Sequence, residues 1–170
     1  MRRSFLICGL FLMLVPGLSS GQETVQSPSP MTMVSTLSDL DIRDILTRAE
    51  IPGEKITIRE EKDSEGLTAF YVFEGEAILL ALYQYTDEPG GKVTSLGMSV
   101  GNRMARGADI RKINEWNART RYVKAYVDDE GDAMLSTDML LSPGVTRLTV
   151  QEWVKMFAKF SREFTLYLKP

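Results

Sequence analysis

The hydrophobic positions of this chain change their spacing several times, and each change predicts a new element. Over residues 37–49 the apolar residues recur at helical spacing, at Leu37, Leu40, Ile45, Leu46 and Ala49. Ser35 and Ser38 are candidate N-caps of this first helix, and Pro52-Gly53 ends it. Residues 54–100 form four runs separated by turn sequences, which predicts four strands, and the third run, Ala77–Tyr85, is apolar on both faces as expected of a central strand. Gly97 interrupts the fourth run, so we expect a bulge or a close backbone approach there.

The stretch from Ile110 to Leu141 carries the most regular pattern. Ile110, Ile113 and Trp116 are predicted to share the buried face of a short helix. The spacing then changes to alternation over residues 122–128, which predicts a half-buried strand. The tight turn Asp129-Glu130-Gly131-Asp132 follows and leads into a return strand over residues 133–141.

A long amphipathic helix closes the chain after the break at Ser142-Pro143-Gly144. Its apolar positions are Val150, Trp153, Val154, Phe157, Phe160 and Phe164. Thr149 followed by Glu152 fits a capping box, and Thr146 is an earlier alternative cap. The predicted order is α-β-β-β-β-α-β-β-α. With short connections, this order predicts an α+β fold, an antiparallel meander with helices packed on one side.

A spaced set of residues in the central stretch resembles the YbjN family, whose members are labelled bacterial sensory transduction regulators. The set is Trp116-Asn117, Arg121-Tyr122, Ala125-Tyr126, Asp128, Gly131-Asp132 and Asp138-Met139-Leu140. The resemblance is strongest over Ala108–Phe164 and extends back to about Leu37 as an order of elements. It implies the fold of type III secretion chaperones, an α+β unit that often forms dimers, so a homodimer is expected. No catalytic residue of the family carries over.

The N-terminus predicts export. Arg2 and Arg3 precede an apolar run from Phe5 to Val15 and a zone of small residues, which together are typical of a signal peptide over residues 1–21. The alternative is an uncleaved amphipathic anchor. Residues 22–36 are polar and predict a flexible linker, and residues 37–170 predict a single domain. We therefore expect a periplasmic or secreted protein with no membrane span after signal cleavage.

The composition limits the kinds of active site, metal site and partner that this chain can have. The chain has no histidine, and its one cysteine, Cys8, lies inside the predicted signal peptide. Ser-His-Asp and Cys-His nucleophiles and the usual zinc sites therefore cannot be built, and we predict no cofactor. Without Arg2 and Arg3 the chain carries 18 basic and 23 acidic residues, a net charge of −5. That charge argues against a nucleic-acid partner.

Two patterned groups have both a functional and a structural interpretation. The acidic turn could hold a calcium or magnesium ion, but the residue six positions after its Gly131 is Thr137 where an EF-hand has Glu. A plain hairpin turn explains the same residues. The aromatic stripe of the last helix is interpreted as its core side, with a peptide-binding groove as the alternative.

Three functional hypotheses remain. The first is a non-enzymatic exported module that binds a protein or peptide. The second is a periplasmic sensor that holds a small anion on the basic helix of the segment Asn102–Lys124, whose basic residues outnumber its acidic ones. The third is a carboxylate-based hydrolase using a pair such as Glu60 and Glu61. The candidate partner- or ligand-binding residues are Arg111, Trp116, Asn117, Arg119, Arg121 and Tyr126.

Overall fold

The computed structural model describes residues 29–62, 67–88 and 91–169. A two-stranded sheet joins β1 (Met33–Val34) to β8 (Val145–Thr146). The main sheet contains β2 (Ile56–Lys62), β3 (Thr68–Glu74), β4 (Ala77–Thr86), β5 (Val93–Asn102), β6 (Lys124–Val127) and β7 (Ala133–Leu140). The helices α1 (Asp39–Arg48), α2 (Ile110–Arg119) and α3 (Arg147–Leu168) pack on one side of it. The predicted α+β fold is confirmed.

The main sheet is antiparallel, with the strand order β2-β3-β4-β5-β7-β6. Its first four strands form the predicted meander. The meander prediction is wrong after β5, because β5 pairs with β7 and β6 takes the edge. The physical reason is ladder length, since all eight residues of β7 find partners on β5 while β6 contributes only four.

Helix α1 begins at the predicted Ser38 cap. The Ser38 hydroxyl accepts from the backbone N–H of Asp41, and the Asp41 carboxylate accepts from the backbone N–H of Ser38. The assignment of Leu40 to the apolar face is wrong, because this side chain is 77% exposed. Leu37 lies before the helix and forms a β-bridge with Val93 of the sheet. The buried face of α1 therefore begins at Ile42.

Helix α3 covers the middle of the sheet. Trp153, Phe157 and Phe164 are buried, so the interpretation of the aromatic stripe as the core side is confirmed, with Phe160 half-buried at its margin. The cap is the alternative Thr146, whose hydroxyl accepts from the backbone N–H of Thr149 at 3.0 Å. The Thr149 cap is therefore wrong.

A buried arginine ties α3 to α1. Arg147 lies 2.6 Å from Asp41 Oδ1 and 2.9 Å from Asp44 Oδ2, and only 3% of its side chain is exposed. Burial raises the pKa of Asp41, but hydrogen bonds from Ser38 and Arg147 outweigh it and leave the pKa below its ordinary value. Helices α1 and α3 are thus joined by ion pairs between the buried Arg147 and two carboxylates of α1.

Helix α2 is anchored by Ile113 and Trp116. The Trp116 ring packs against Phe164 with 5.0 Å between ring centroids and against Tyr167 with 5.5 Å. Ile110 is 55% exposed, so its assignment to the buried face is wrong. It is the first helical residue after the Asp109 cap, one turn beyond the core contacts.

The described part of the predicted linker is bonded to the domain. Met33 and Val34 form β1, the backbone N–H of Arg147 donates to Thr32, and that of Leu148 donates to Pro30. The predicted signal peptide and residues 22–28 lie outside the described residues. No helix in the described part of the chain is long and apolar enough to cross a membrane.

Candidate functional site

Two of the six candidate residues have structural roles. Trp116 is buried among aromatic rings. The Asn117 side chain donates to the backbone oxygen of Ala125 at 2.9 Å and accepts from its N–H at 2.8 Å. This reciprocal pair fastens α2 to β6 and uses one of the two donors and one of the two acceptor positions of the Asn117 amide.

Three candidates are exposed arginines on or just after α2. Arg111 lies 3.6 Å from Asp109 and Arg119 lies 3.7 Å from Glu115. The Arg121 guanidinium lies 5.3 Å from the ring centroid of Tyr122. Each arginine therefore has a different nearby partner, either a carboxylate or an aromatic ring. The three side chains do not line a common cavity among the described residues.

The sixth candidate, Tyr126, faces the side of the sheet that the helices leave open. It lies in a cavity with residues of β4, β5 and β7 and is 37% exposed. The structure therefore separates Tyr126 from the exposed arginines of α2, and the six residues do not form one site.

The acidic loop is a hairpin turn, as predicted. Asp128 Oδ1 accepts from the backbone N–H groups of Glu130 at 3.0 Å and of Asp132 at 2.8 Å. Asp132 Oδ1 accepts from the N–H of Met104 at 2.7 Å. Gly131 has the positive φ of +84° that the turn requires. The described residues contain no group of three or more acidic, cysteine or histidine side chains placed to hold a metal.

A different feature, the outer edge of β7, has the properties of a binding site. Strand β6 pairs only with residues 133–136 of β7, and the last pair is Lys124 with Ser136. Beyond Ser136, no described strand lies on that side of β7, although residues 137–140 remain paired to β5 on the other. The second half of β7 is thus a sheet edge.

The register shows which backbone groups this edge presents. Leu141 donates its backbone N–H to the backbone oxygen of Thr94 in β5, and the backbone oxygen of Asp132 accepts from Asp128 on the β6 side. Because successive residues of an antiparallel strand point their N–H and C=O groups to opposite sides, Asp138 and Leu140 point away from β5. Their donors and acceptors have no strand partner among the described residues.

A groove of about 460 Å³ runs along this edge on the helix side. Its apolar walls are Tyr122, Met139, Trp153 and Met156, and the remaining lining residues are Thr137, Asp138, Thr149 and Glu152. Over the second half of α3 the flank is covered by α2 through Trp116, and the groove is the part that α2 leaves open.

The groove is fixed in place by hydrogen bonds. Trp153 Nε1 donates to Thr137 Oγ1 at 3.3 Å, and Thr137 Oγ1 donates to the backbone oxygen of Tyr122 at 2.9 Å. Tyr122 has a φ of +71°, which is unusual for a bulky side chain, and it is 69% exposed. Its assignment to the strand is wrong, since the left-handed conformation ends the extended run before β6.

The opposite edge of the sheet is protected by charge. Strand β2 carries Arg59, Glu60, Glu61 and Lys62 in succession. Glu60 lies 2.7 Å from Arg43 and Lys62 lies 3.0 Å from Asp39, both on α1. Charged side chains of this kind discourage strand addition. Glu60 and Glu61 pair with successive residues of β3 and so point to opposite faces of the sheet, which separates the two carboxylates of the hydrolase hypothesis.

Comparison with known proteins decides the family. The family model of YbjN, described as "Putative bacterial sensory transduction regulator", matches residues 40–168. The chain belongs to the YbjN family. The match covers every element of the main sheet and all three helices except the first residue of α1. No curated protein matches the chain. YbjN membership supports a non-enzymatic regulatory module.

Sequence reasoning missed the edge and its groove. One signal for it was present, because the predicted strand 122–128 is shorter than its predicted partner 133–141 and would leave part of it uncovered. Met156 gave no such signal, since it lies between the buried and exposed faces of α3. Only the packing of α2 decides which part of that flank stays open.

Proposed function

We propose that this YbjN-family chain is an exported, non-enzymatic regulatory module that binds an extended segment of a partner protein by adding it as a strand to β7. The observation that carries the proposal is the sheet edge at Asp138 and Leu140, beside an apolar groove. Strand addition is a general mode of peptide recognition in which backbone hydrogen bonds provide affinity and side-chain pockets provide specificity.

The edge sets the chemistry of the segment. Asp138 and Leu140 together offer two N–H donors and two C=O acceptors to an incoming backbone. A bound residue opposite Met139 points its side chain to the helix side, into the groove between Tyr122 and Met156. An apolar side chain fits there, because the groove walls are mostly apolar.

The groove needs little reorganisation on binding. Trp153, Thr137 and the backbone of Tyr122 are linked by hydrogen bonds before any segment arrives. A preformed edge avoids part of the ordering cost that weakens peptide binding. This supports recognition of a short segment by a small surface.

Export is supported by the sequence of residues 1–21, whose positive start and apolar run are typical of a signal peptide. The partner segment would then be extracytoplasmic. Fractionation of cells that express the intact chain tests this part, and a protein of unshortened length in the cytoplasmic fraction would contradict it.

A substitution at Leu140 tests strand addition. Leu140→Pro removes the outward N–H without touching the β5 ladder, and proline is tolerated at sheet edges. Leu140→Ala is the control because it also removes the leucine side chain but keeps the backbone N–H. Peptides selected from a display library on the purified protein should bind the Ala variant and lose at least about tenfold in affinity for the Pro variant.

Equal binding by the two variants would overturn the proposal, provided that both unfold at similar urea concentrations. A second copy of the chain is the other strand that could pair at this edge. Sedimentation distinguishes the two occupants, since a wild-type dimer that Leu140→Pro alone converts to monomers would assign the edge to self-association.

A further inference from the structure

The side of the sheet without helices carries a cavity of about 400 Å³ that the proposed function does not use. Its floor is Gly97, Ser99 and Ser136. Its walls are Tyr83 and Tyr85 on one side and Tyr126 on the other. Asp138 extends its side chain into the same cavity.

Gly97 makes the cavity possible. A Cβ at this position would lie 2.8 Å from a ring carbon of Tyr85 and 3.0 Å from Asp138 Oδ1. The atoms that approach Gly97 belong to side chains, so this glycine makes room for Tyr85 and Asp138 where a bulge or a close backbone approach was expected. The absent side chain lets the Tyr85 ring lean across β5 towards the Asp138 carboxylate.

Asp138 is the one charged residue among those that line the cavity. It has no ion pair with any described residue. Burial, followed by the charge of Asp138, raises the pKa of the Tyr85 phenol, as expected for a phenol close to an unpaired carboxylate. A negative field beside aromatic rings favours a cation.

Rings on this face already contact cations of the chain. The Arg59 guanidinium lies 4.5 Å from the ring centroid of Phe73, and Lys124 Nζ lies 5.9 Å from that of Tyr126. In the described part of the chain, the rings of Tyr83 and Tyr85 have no such partner. Tyr85 is 48% exposed, so an external cation can reach its side chain.

We propose that the cavity formed by Tyr83, Tyr85, Tyr126 and Asp138 binds a small organic cation with an alkylated ammonium head. Aromatic rings attract such a cation through their negative faces, and quaternary ammonium groups are the usual ligands of aromatic cages. Asp138 supplies the counter-charge, and the serine and tyrosine hydroxyls accept from any N–H of the ligand. This inference uses the Asp138 side chain, whereas strand addition at β7 uses the Asp138 backbone, so each proposal has its own test.

Tetramethylammonium chloride is the probe, and tert-butanol is its neutral counterpart of the same shape. NMR titration of the purified protein should show saturable shifts of the Gly97, Ser99 and Ser136 amides with the cation and none with the alcohol. Equal shifts with both probes, or no saturable shift with the cation, would overturn the proposal.

Variants separate the charge from the rings. Asp138→Asn and Tyr126→Ala should each weaken binding about fivefold or more, while Tyr126→Phe keeps the ring and the affinity. Lys124→Gln should strengthen binding, because it removes a competing cation beside Tyr126. Asp129→Asn in the exposed hairpin is the matched charge control and should bind as the wild type.

If Tyr126→Ala lowers the stability of the protein, Asp138→Asn still tests cation binding. Asp138 is exposed and bonded to no described side chain, so we expect its substitution to leave the fold intact. Identical affinities of Asp138→Asn and Asp129→Asn would overturn the assignment. Strand addition has a separate readout, the Leu140→Pro effect on peptide binding, so failure of one proposal leaves the other to be judged alone.

Discussion

Trp153 donates its indole N–H to the hydroxyl of Thr137, with 3.3 Å between nitrogen and oxygen. The contact joins the long helix α3 to the part of β7 that has no outer strand. The Thr137 hydroxyl in turn donates a hydrogen bond to the backbone oxygen of Tyr122. One buried threonine thus links the helix α3, the sheet edge at β7 and Tyr122 beside the groove.

Thr137→Val tests this relay. The substitution keeps the shape and removes two hydrogen bonds in a buried place, so the free energy of unfolding should fall by about 1–3 kcal/mol. Urea unfolding measures it. Thr94→Val is the matched control, because its hydroxyl bonds only to Asp87 at the surface and should cost less than about 1 kcal/mol. Equal losses in the two variants would contradict the relay.

Asn117→Ala should destabilise the chain without removing any ligand contact. It breaks both hydrogen bonds to the backbone of Ala125 and leaves that buried backbone unpaired, for a loss of about 2 kcal/mol. Thermal unfolding checks this, with Asn114→Ala on the exposed face of α2 as the control. A change at Asn117 no larger than that at Asn114 would show that the clamp to β6 is dispensable.

Charge reversal separates the partner-binding proposal from the anion-sensor hypothesis. Arg111→Glu combined with Arg119→Glu should leave peptide binding at β7 unchanged, because both side chains lie on α2 away from the groove lining. Peptide affinity measured by fluorescence polarisation checks this. Loss of phosphate or sulfate binding in the same variant, with no peptide binding in the wild type, would favour the anion sensor.

Acid should destabilise the fold below about pH 4. Burial raises the pKa of Asp39, but hydrogen bonds from Gln84, Thr68 and Lys62 outweigh it, and the pKa is lowered. The pKa of Asp44 is lowered chiefly by Arg48. A carboxylate with a lowered folded pKa adds stability above its unfolded pKa, and this stability is lost as the pH falls through the folded pKa.

Urea midpoints between pH 3 and pH 7 measure this effect, and the curve should be flat near neutrality and fall on the acid side. In Asp44→Asn the urea midpoint should fall less steeply on the acid side than in the wild type. Asp129→Asn in the hairpin is the control for the loss of one negative charge. An acid limb that is steeper in Asp44→Asn than in the wild type would contradict the assignment.

Periodicity predicted the elements well because burial dictates the spacing of apolar residues within each one. It failed where an apolar residue lies at the end of an element. Leu40 and Ile110 stand in the first turns of α1 and α2, outside the reach of the core, and nothing in the local pattern marks them as exposed.

The order of strands was predicted less well for a long-range reason. The local sequence pattern predicts the hairpin of β6 and β7. Which of the two strands pairs with β5 depends on how many residues each can pair, and the local pattern does not show this. The left-handed Tyr122 is a second such case, since an aromatic residue gives no local signal for a positive φ. The open edge of β7 follows from both features, and the sequence signals it only through the unequal lengths of the two predicted strands.

Hydrogen exchange at single amides tests strand addition most directly. In the free protein the N–H groups of Asp138 and Leu140 should exchange rapidly, while those of Thr137 and Met139 on the β5 side exchange slowly. Addition of a selected peptide should slow exchange at Asp138 and Leu140 specifically. Slow exchange at these two amides in the free monomer, or no added protection in the peptide complex, would contradict the proposal that β7 receives a partner strand.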